Sequence, residues 1–179
     1  VLGVPTLNIL LTGATGFIGQ ALMIALTHAG HTVRPLSRRL GADFAQLLTV
    51  HAWRPYLANI DAVINCVGII YQQRTQPFST LHQHAPSALF HACAELGIAR
   101  VLHISALGSD AQAESAYHRS KYAADQLLRT LDLDWLILRP ALIYGRGGYS
   151  SEWLLKLARW PLLPVLGDGQ QPLQPIHIS

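Results

Sequence analysis

Tyr117 and Lys121 are the pair of side chains whose types and spacing best suit acid–base chemistry. They stand four residues apart in a segment with a helical apolar pattern, Ser115 to Leu131, so both project from one face, one turn apart. A free phenol has a pKa near ~10, too high for ready proton exchange at neutral pH. A neighbouring ammonium favours the phenolate and lowers that pKa. We therefore predict that Tyr117 is a general acid or base and that Lys121 tunes it.

Ser105 is the third candidate, because it ends an apolar strand pattern, Arg100 to Ser105, just before that helix. Its hydroxyl can bond the substrate oxygen that Tyr117 protonates, while Lys121 can also bond the ribose hydroxyls of a nicotinamide cofactor. Taken alone, a Tyr-x-x-x-Lys pair is more often a solvated helix face. Its position after a nucleotide-binding turn and a strand ending in serine favours chemistry.

That turn lies near the start of the sequence, where Asn8 to Thr12 is an apolar run typical of a buried parallel strand. Gly13, Gly16 and Gly19 follow and open a helix. A glycine-rich turn at a helix N-terminus presents unpaired N–H groups and the positive end of the helix dipole, and missing Cβ atoms let a diphosphate approach the backbone. The alternative is a tight turn that binds nothing. We predict a dinucleotide site that also includes Thr15, Phe17 and Ile18.

The end of the second predicted strand, His31 to Leu36, indicates which dinucleotide binds. An acid there would bond the 2′-hydroxyl of NAD, whereas arginine accommodates the 2′-phosphate of NADP. This tip reads Ser37-Arg38-Arg39 and has no carboxylate. It favours NADP, with NAD as the alternative, unless both arginines simply solvate a turn.

The remaining pattern alternates strands and helices and predicts an α/β fold, a Rossmann-type doubly wound parallel sheet in three layers. Ala62 to Val67 is a buried strand ending at Gly68, with Val67 and Gly68 expected beside the nucleotide. Between Gly41 and Asp61 the pattern is weak; Asp43-Phe44 is expected near a third strand. The other expected elements are a helix over Trp53 to Ala58, a helix over Pro77 to Leu96 ended by Gly97, a strand over Asp134 to Leu138, and inward-facing Ala123, Leu127, Leu128 and Leu131 on the helix of Tyr117.

Composition narrows the class of protein. Half of the 179 residues are hydrophobic and 13% are charged, which argues against disorder. The thirteen Lys and Arg residues are scattered, so we expect no nucleic-acid partner, and without a run of eighteen apolar residues we expect no membrane partner in this sequence. The expected partner is a small-molecule substrate. Nine histidines show no metal-ligand spacing; solvated or locally hydrogen-bonded roles are expected, and no metal. Cys66 and Cys93 read as reduced thiols of a cytoplasmic protein.

Five stretches, TGATGFIG, the SRR tip, HISALGSD, YHRSK and RPALIYGRGG, together resemble the short-chain dehydrogenase/reductase superfamily. The resemblance is to its extended or atypical NAD(P)-binding members, the epimerase/dehydratase-like group. It is similar in particular to the nucleotide-binding accessory subunit of respiratory complex I and its bacterial relatives. Extended members often carry Asn where this sequence has Leu81-His82, and the complex I-like group often has His.

The resemblance implies a role for each matching position. Gly13, Gly16, Phe17, Ile18 and Gly19 would line the pyrophosphate, Arg38 the adenosine phosphate, Val67 and Gly68 the cofactor, and Pro140 the nicotinamide, with Ser105, Tyr117 and Lys121 as the catalytic trio. A dinucleotide-binding domain over 1–150 would precede the start of a substrate-binding region over 151–179, with Trp153 and Trp160 in its core.

Three functions remain open at this point. The first is an NADP-dependent oxidoreductase that moves a hydride between cofactor and a small carbonyl or alcohol. The second is a non-catalytic NADP-binding module, and the third a sugar-nucleotide epimerase or dehydratase. Oligomeric state is not indicated by the sequence.

Overall fold

The computed structural model describes residues 5–160, 168–170 and 173–179 and contains seven strands and five α-helices within them. In chain order these are β1 Asn8–Thr12, α1 Phe17–His28, β2 Thr32–Leu36, α2 Val50–Leu57, β3 Ala62–Asn65, α3 Ala85–Leu96, β4 Arg100–Ile104, α4 Ala116–Thr130, β5 Asp134–Leu138, β6 Ile143–Tyr144, α5 Tyr149–Leu157 and β7 Ile176–His177. The chain divides into two units, Val1–Arg139 and Pro140–Ser179.

A five-stranded parallel sheet in the order β2-β1-β3-β4-β5 forms the centre of the first unit. Alternate side chains of each strand face opposite layers, as the pleat requires. Leu10, Val63 and Val101 face the core under α2, α3 and α4, whereas Ile9 and Ile64 face α1. The predicted three-layer, doubly wound parallel fold is therefore confirmed.

Asp43-Phe44, expected near a third strand, are not in a strand themselves; they line the same cleft as Cys66 and Val67, which follow β3. Asp43 caps a 3-10 turn over Phe44–Gln46, and the Phe44 ring packs on Trp53 with centroids 5.5 Å apart. The buried Trp53 donates its indole N–H to the carbonyl of Leu47 at 2.9 Å, which satisfies its polar group. Among the described residues, β2 is an edge of the sheet.

The predicted helix over Pro77 to Leu96 forms in two parts. Ser79–His84 is π-helical and α3 follows without a break, ending at Gly97 with φ +73°. Pro86 supplies the physical reason for the change, because it has no N–H to donate to the carbonyl four residues earlier. π-Helical turns occur preferentially at functional sites.

The predicted inward face of α4 is partly wrong. Ala124 and Leu128 are buried, but Ala123 and Leu127 are only half-buried. Lys121 and Asp125 take up the remaining inward positions, so the buried face of this helix is polar at one end. The apolar pattern of the helix does not predict this burial of Lys121 and Asp125, because charged residues of an amphipathic helix are expected to face solvent.

The second unit contains the parallel pair β6–β7 and helix α5. The Gly145 N–H donates to the Ser151 hydroxyl at 3.0 Å. Trp153 and Trp160, expected in a core, are 54% and 63% exposed, so that prediction is wrong. Of the helices in the described residues, none has the length and apolarity needed to cross a membrane.

Candidate functional site

The turn between β1 and α1 can exist only with glycine at two of its positions. A Cβ on Gly13, whose φ is +70°, would lie 2.8 Å from the carbonyl carbon of Cys66, and one on Gly19 would lie 2.2 Å from the Gly13 carbonyl oxygen. Gly16 caps α1 without any side chain over the helix end. The first amides of α1 have no partner within the helix, so they are available to an anion.

A cleft of about 260 Å³ opens above this turn. It is lined by Gly13, Thr15, Gly16, Ser37, Arg38, Arg39, Asp43, Phe44, Cys66, Val67, Gly68, Ile69, Gln76 and Leu81. Eight of the predicted cofactor residues are in this lining. Phe17, Ile18 and Gly19 belong to the helix start beside it, and Pro140 opens the second unit. Asp43 and Phe44 were not predicted here.

Ser37 supports the view that the cleft is built for a polar ligand. This residue is 4% exposed, and its hydroxyl has no hydrogen-bond partner among the residues that the structure describes; leaving such a group unpaired costs free energy. Arg38 and Arg39 next to it are exposed, and within the described part of the chain neither forms an ion pair. The glycine cradle, the unpaired hydroxyl and the two free guanidinium groups fit the adenosine diphosphate half of a dinucleotide.

Ser105 lies directly after β4 and is 4% exposed. Its hydroxyl donates to Asp125 Oδ2 at 2.9 Å, and Arg139 Nε donates to the same oxygen at 2.9 Å. Because its proton is used by the carboxylate, Ser105 Oγ is left to accept hydrogen bonds on its other side. It can therefore accept a hydrogen bond from a substrate hydroxyl, but in this arrangement it does not donate one to a carbonyl.

Lys121 is 3% exposed and donates from Nζ to the carbonyl oxygen of Ile104 at 2.7 Å. That carbonyl immediately precedes Ser105, so the structure brings these two predicted residues together. Burial lowers the pKa of Lys121 to about 8, opposed by the charges of Asp125 and Cys66. An ammonium held this way still has two N–H groups for a ligand.

Tyr117, half-buried at the start of α4, lies among three other rings. Its ring centroid is 5.0 Å from that of His118, 5.4 Å from that of His82 and 5.8 Å from that of Phe78. Burial raises the pKa of Tyr117, the opposite of the direction predicted from Lys121. Within the described residues no hydrogen bond joins the phenol to Lys121, because Nζ is directed to the strand end instead.

A row of buried polar side chains behind Ser105 was missed by the sequence reasoning. Thr12 donates its hydroxyl to Asn65 Oδ1 at 2.6 Å, and the Asn65 amide donates to His103 Nδ1 at 3.0 Å. His103 Nε2 then faces Asp125 Oδ1 at 3.6 Å. Burial, reinforced by Lys121, holds the pKa of His103 well below 6.5, so this ring is neutral. The available signal was a polar residue at each of these positions inside otherwise apolar strands.

Comparison with known proteins decides the family. A model described as the NAD dependent epimerase/dehydratase family matches residues 9–179. The chain belongs to that family. Among relatives, the ceramide reductase of Caulobacter vibrioides is 32% identical over 181 residues, covering 94% of this chain and 56% of that protein.

Two further relatives extend the comparison. Subunit 9 of the alpha subcomplex of mitochondrial NADH dehydrogenase from Arabidopsis thaliana is 26% identical over 184 residues, 93% of this chain and 46% of that one. The structure of MoeE5 with UDP-glucuronic acid and NAD has a TM-score of 0.77 at 25% identity, covering 96% of this chain and 68% of that one. The chain spans about half the length of the curated relatives it matches.

These matches confirm the predicted resemblance and the predicted NAD(P)-binding family with its Rossmann-type fold. They do not test the roles of Ser105, Tyr117, Lys121 or the individual cofactor-binding residues, which stay predictions.

Proposed function

We propose that this chain is the cofactor-binding part of an NADP-dependent oxidoreductase that reduces a carbonyl, or oxidises the corresponding alcohol, with Tyr117 as acid and base. The observation that carries the proposal is the buried ammonium of Lys121, fixed to the Ile104 carbonyl beside Ser105 and one helical turn from Tyr117. Burying a charge is costly, and such perturbed groups concentrate at functional sites. The naming of a ceramide reductase among the relatives supports the reductive direction.

Each of the three residues has a task that its surroundings allow. Tyr117, protonated because burial raises its pKa, donates its proton to the carbonyl oxygen in reduction. Lys121 keeps N–H groups for the ribose hydroxyls and, once near the phenol, lowers the cost of the phenolate. Ser105, whose own proton is engaged by Asp125, accepts a hydrogen bond from the substrate hydroxyl in the oxidative direction, and the Tyr117 phenolate takes up the proton. The nicotinamide, when bound, supplies or takes up the hydride.

The preference for NADP over NAD belongs to the same proposal. It is supported by Arg38 and Arg39 at the cleft and by the unpaired hydroxyl of Ser37 between them and β2. We also propose a small-molecule substrate, without a nucleic-acid or membrane partner, and a cytoplasmic location. The two free thiols, Cys66 and Cys93, support a reducing compartment.

The test is turnover by the Tyr117→Phe variant in a screen of NADPH oxidation against carbonyl compounds. Removing the acid should lower kcat by about 10² to 10⁴-fold while NADPH affinity stays within about twofold of wild type. Tyr122→Phe, one residue beyond Lys121 on the same helix, is the matched control and should keep full turnover. Undiminished turnover by Tyr117→Phe would overturn the assignment.

Two other functions have an observation in their favour. A non-catalytic NADP-binding module is favoured by the similarity to the complex I subunit and by the absence of a Tyr117–Lys121 hydrogen bond among the described residues. A sugar-nucleotide epimerase or dehydratase is favoured by the family description and by the MoeE5 complex. Tightly bound, unreactive cofactor would support the module, and conversion of a nucleotide sugar without net cofactor oxidation would support the epimerase.

A further inference from the structure

His82 is a completely buried histidine beside the candidate site, and no task has yet been assigned to it. It lies in the π-helical turn Ser79–His84 and is 0% exposed. Its ring stacks on Phe78, with centroids 5.1 Å apart and planes 17° apart, and lies nearly perpendicular to the Tyr117 ring, with centroids 5.4 Å apart. Two ring contacts and complete burial restrict the orientation of this imidazole.

The hydrogen bonds of His82 also fix its protonation. The backbone N–H of Ile69 donates to Nε2 at 3.0 Å, so this nitrogen is the unprotonated one. Nδ1 therefore carries the proton and donates to the Ser120 hydroxyl at 2.9 Å. Ser120 in turn donates to the carbonyl oxygen of Tyr117 at 2.7 Å. Every donor in this series has one acceptor, so the direction is unambiguous.

The two ends of this series belong to different parts of the site. Ile69 continues the cleft-lining segment that includes Val67 and Gly68, whereas Ser120 lies between Tyr117 and Lys121 on α4. A Cβ on Gly68 would be 3.6 Å from Lys121 Nζ and 3.8 Å from His82 Nε2. The imidazole thus stands where the cleft wall, the ammonium and the phenol meet.

We propose that His82 is a positioning residue which, as its neutral Nδ1–H tautomer, ties the cleft segment Val67–Ile69 to the helix that carries Tyr117 and Lys121. One ring nitrogen bonds the cleft segment and the other bonds the helix, so the size of the imidazole sets the distance between the two. As a role in the reaction, this rests on the proposed function. As a constraint on cofactor binding, it needs only that the cleft takes the dinucleotide.

The neutral tautomer is stable in this position. Burial, together with the positive charge of Lys121, lowers the pKa of His82 to about 3. A proton on Nε2 would remove the acceptor for the Ile69 amide and place a second cation beside the ammonium. The hydrogen bonds of His82 to Ile69 and Ser120 therefore persist at neutral pH.

Three substitutions separate the two hydrogen bonds. His82→Gln offers an amide oxygen near the position of Nε2 and can keep the bond to the Ile69 N–H. His82→Asn reaches only toward Ser120, and His82→Phe fills the volume with no hydrogen bond at all. His91→Gln, on the exposed side of α3, is the matched control.

The experiment measures hydrogen exchange of the Ile69 amide and NADPH affinity in each variant. We expect exchange at Ile69 to become about tenfold faster in the Phe and Asn variants, with the core amide of Val101 unchanged, and the Kd for NADPH to rise by about three- to tenfold. The Gln variant should return both quantities to within about twofold of wild type.

Unchanged exchange at Ile69 in His82→Phe, equal acceleration at Val101, or unaltered NADPH affinity despite an exposed Ile69 amide would each overturn the proposal. Failure of the proposed function looks different. A wild-type chain that binds NADPH but reduces nothing would leave all three measurements intact, and a chain that binds no NADPH would leave Ile69 exchange to decide whether the tie exists.

Discussion

The glycine turn follows β1, whereas Ser105 of the candidate Ser105–Tyr117–Lys121 trio follows β4, and β3 lies between these two strands. The turn and the trio are held in place by different means. The conformation of the turn depends on close contacts between main-chain atoms, because a Cβ on Gly13 or Gly19 would overlap with the neighbouring backbone. The trio depends on side chains far apart in sequence, because Asp125 and Arg139 hold Ser105 and a buried row extends back to Thr12.

The glycine turn and the residues around Ser105 should therefore tolerate different kinds of substitution. A turn that depends on close backbone contact fails when atoms are added to it. A buried polar row fails when atoms are removed, because the remaining partner keeps its desolvation cost without its hydrogen bond. Substitutions of the two kinds should therefore have distinct signatures in stability and in cofactor binding.

The largest effect is expected for Asp125→Ala. It leaves Ser105 without an acceptor and Arg139 without its ion pair, and breaking such a buried pair costs about 3 to 5 kcal/mol. Urea unfolding should show this loss, while the exposed Asp132→Ala stays within about 0.5 kcal/mol of wild type. Equal stability of the two variants would mean that the row of buried polar side chains does not stabilise the surroundings of Ser105.

Gly19→Ala should cost about 2 to 3 kcal/mol and also abolish measurable NADPH binding, because the added methyl meets the Gly13 carbonyl oxygen. Gly97→Ala is the control: its φ of +73° makes alanine strained, but nothing lies within 4 Å of the new Cβ. It should lose about 1 kcal/mol and keep NADPH affinity. If both variants keep that affinity, the turn is not the diphosphate site.

Acid should destabilise the folded chain through two buried neutral histidines, His82 and His103. The pKa of His82 is lowered to about 3 and that of His103 well below 6.5, so the unfolded chain binds more protons as pH falls below about 6.5. The contribution of these two histidines to stability is complete above that pH and falls on acidification, by at most about 1.4 kcal/mol per pH unit for each histidine. In urea titrations across this range, His82→Gln should show a shallower slope than wild type; an identical slope would contradict the assignment.

The smallest effect is expected at the β2 tip. Arg38→Ala should weaken NADP binding by about tenfold and NAD binding by less than about twofold, since only NADP carries the 2′-phosphate. Arg54→Ala on α2, which breaks an exposed ion pair with Glu95 on α3, should change neither affinity. Calorimetric titration with both nucleotides measures the ratio, and equal losses for the two would refute the NADP preference.

Sequence alone predicted the local features of this fold and missed those that depend on distant partners. The glycine turn, the parallel strands and the Ser–Tyr–Lys candidates follow from spacing within short segments. The packing of Phe44 on Trp53 did not, because it joins a 3-10 turn to a helix whose apolar spacing is weak. The contacts of His82 and the burial of Asp125 were not predicted either, because a π-helical turn and a buried charge on an amphipathic helix both depart from the periodicity that predicts helices.

The most direct test of the central claim is a crystal structure of the chain grown with NADPH. We expect the diphosphate to contact the amides of Phe17 and Ile18. The adenosine phosphate should lie beside Arg38, and the nicotinamide should contact Tyr117. A diphosphate bound away from the turn, or a nicotinamide out of contact with Tyr117, would contradict it.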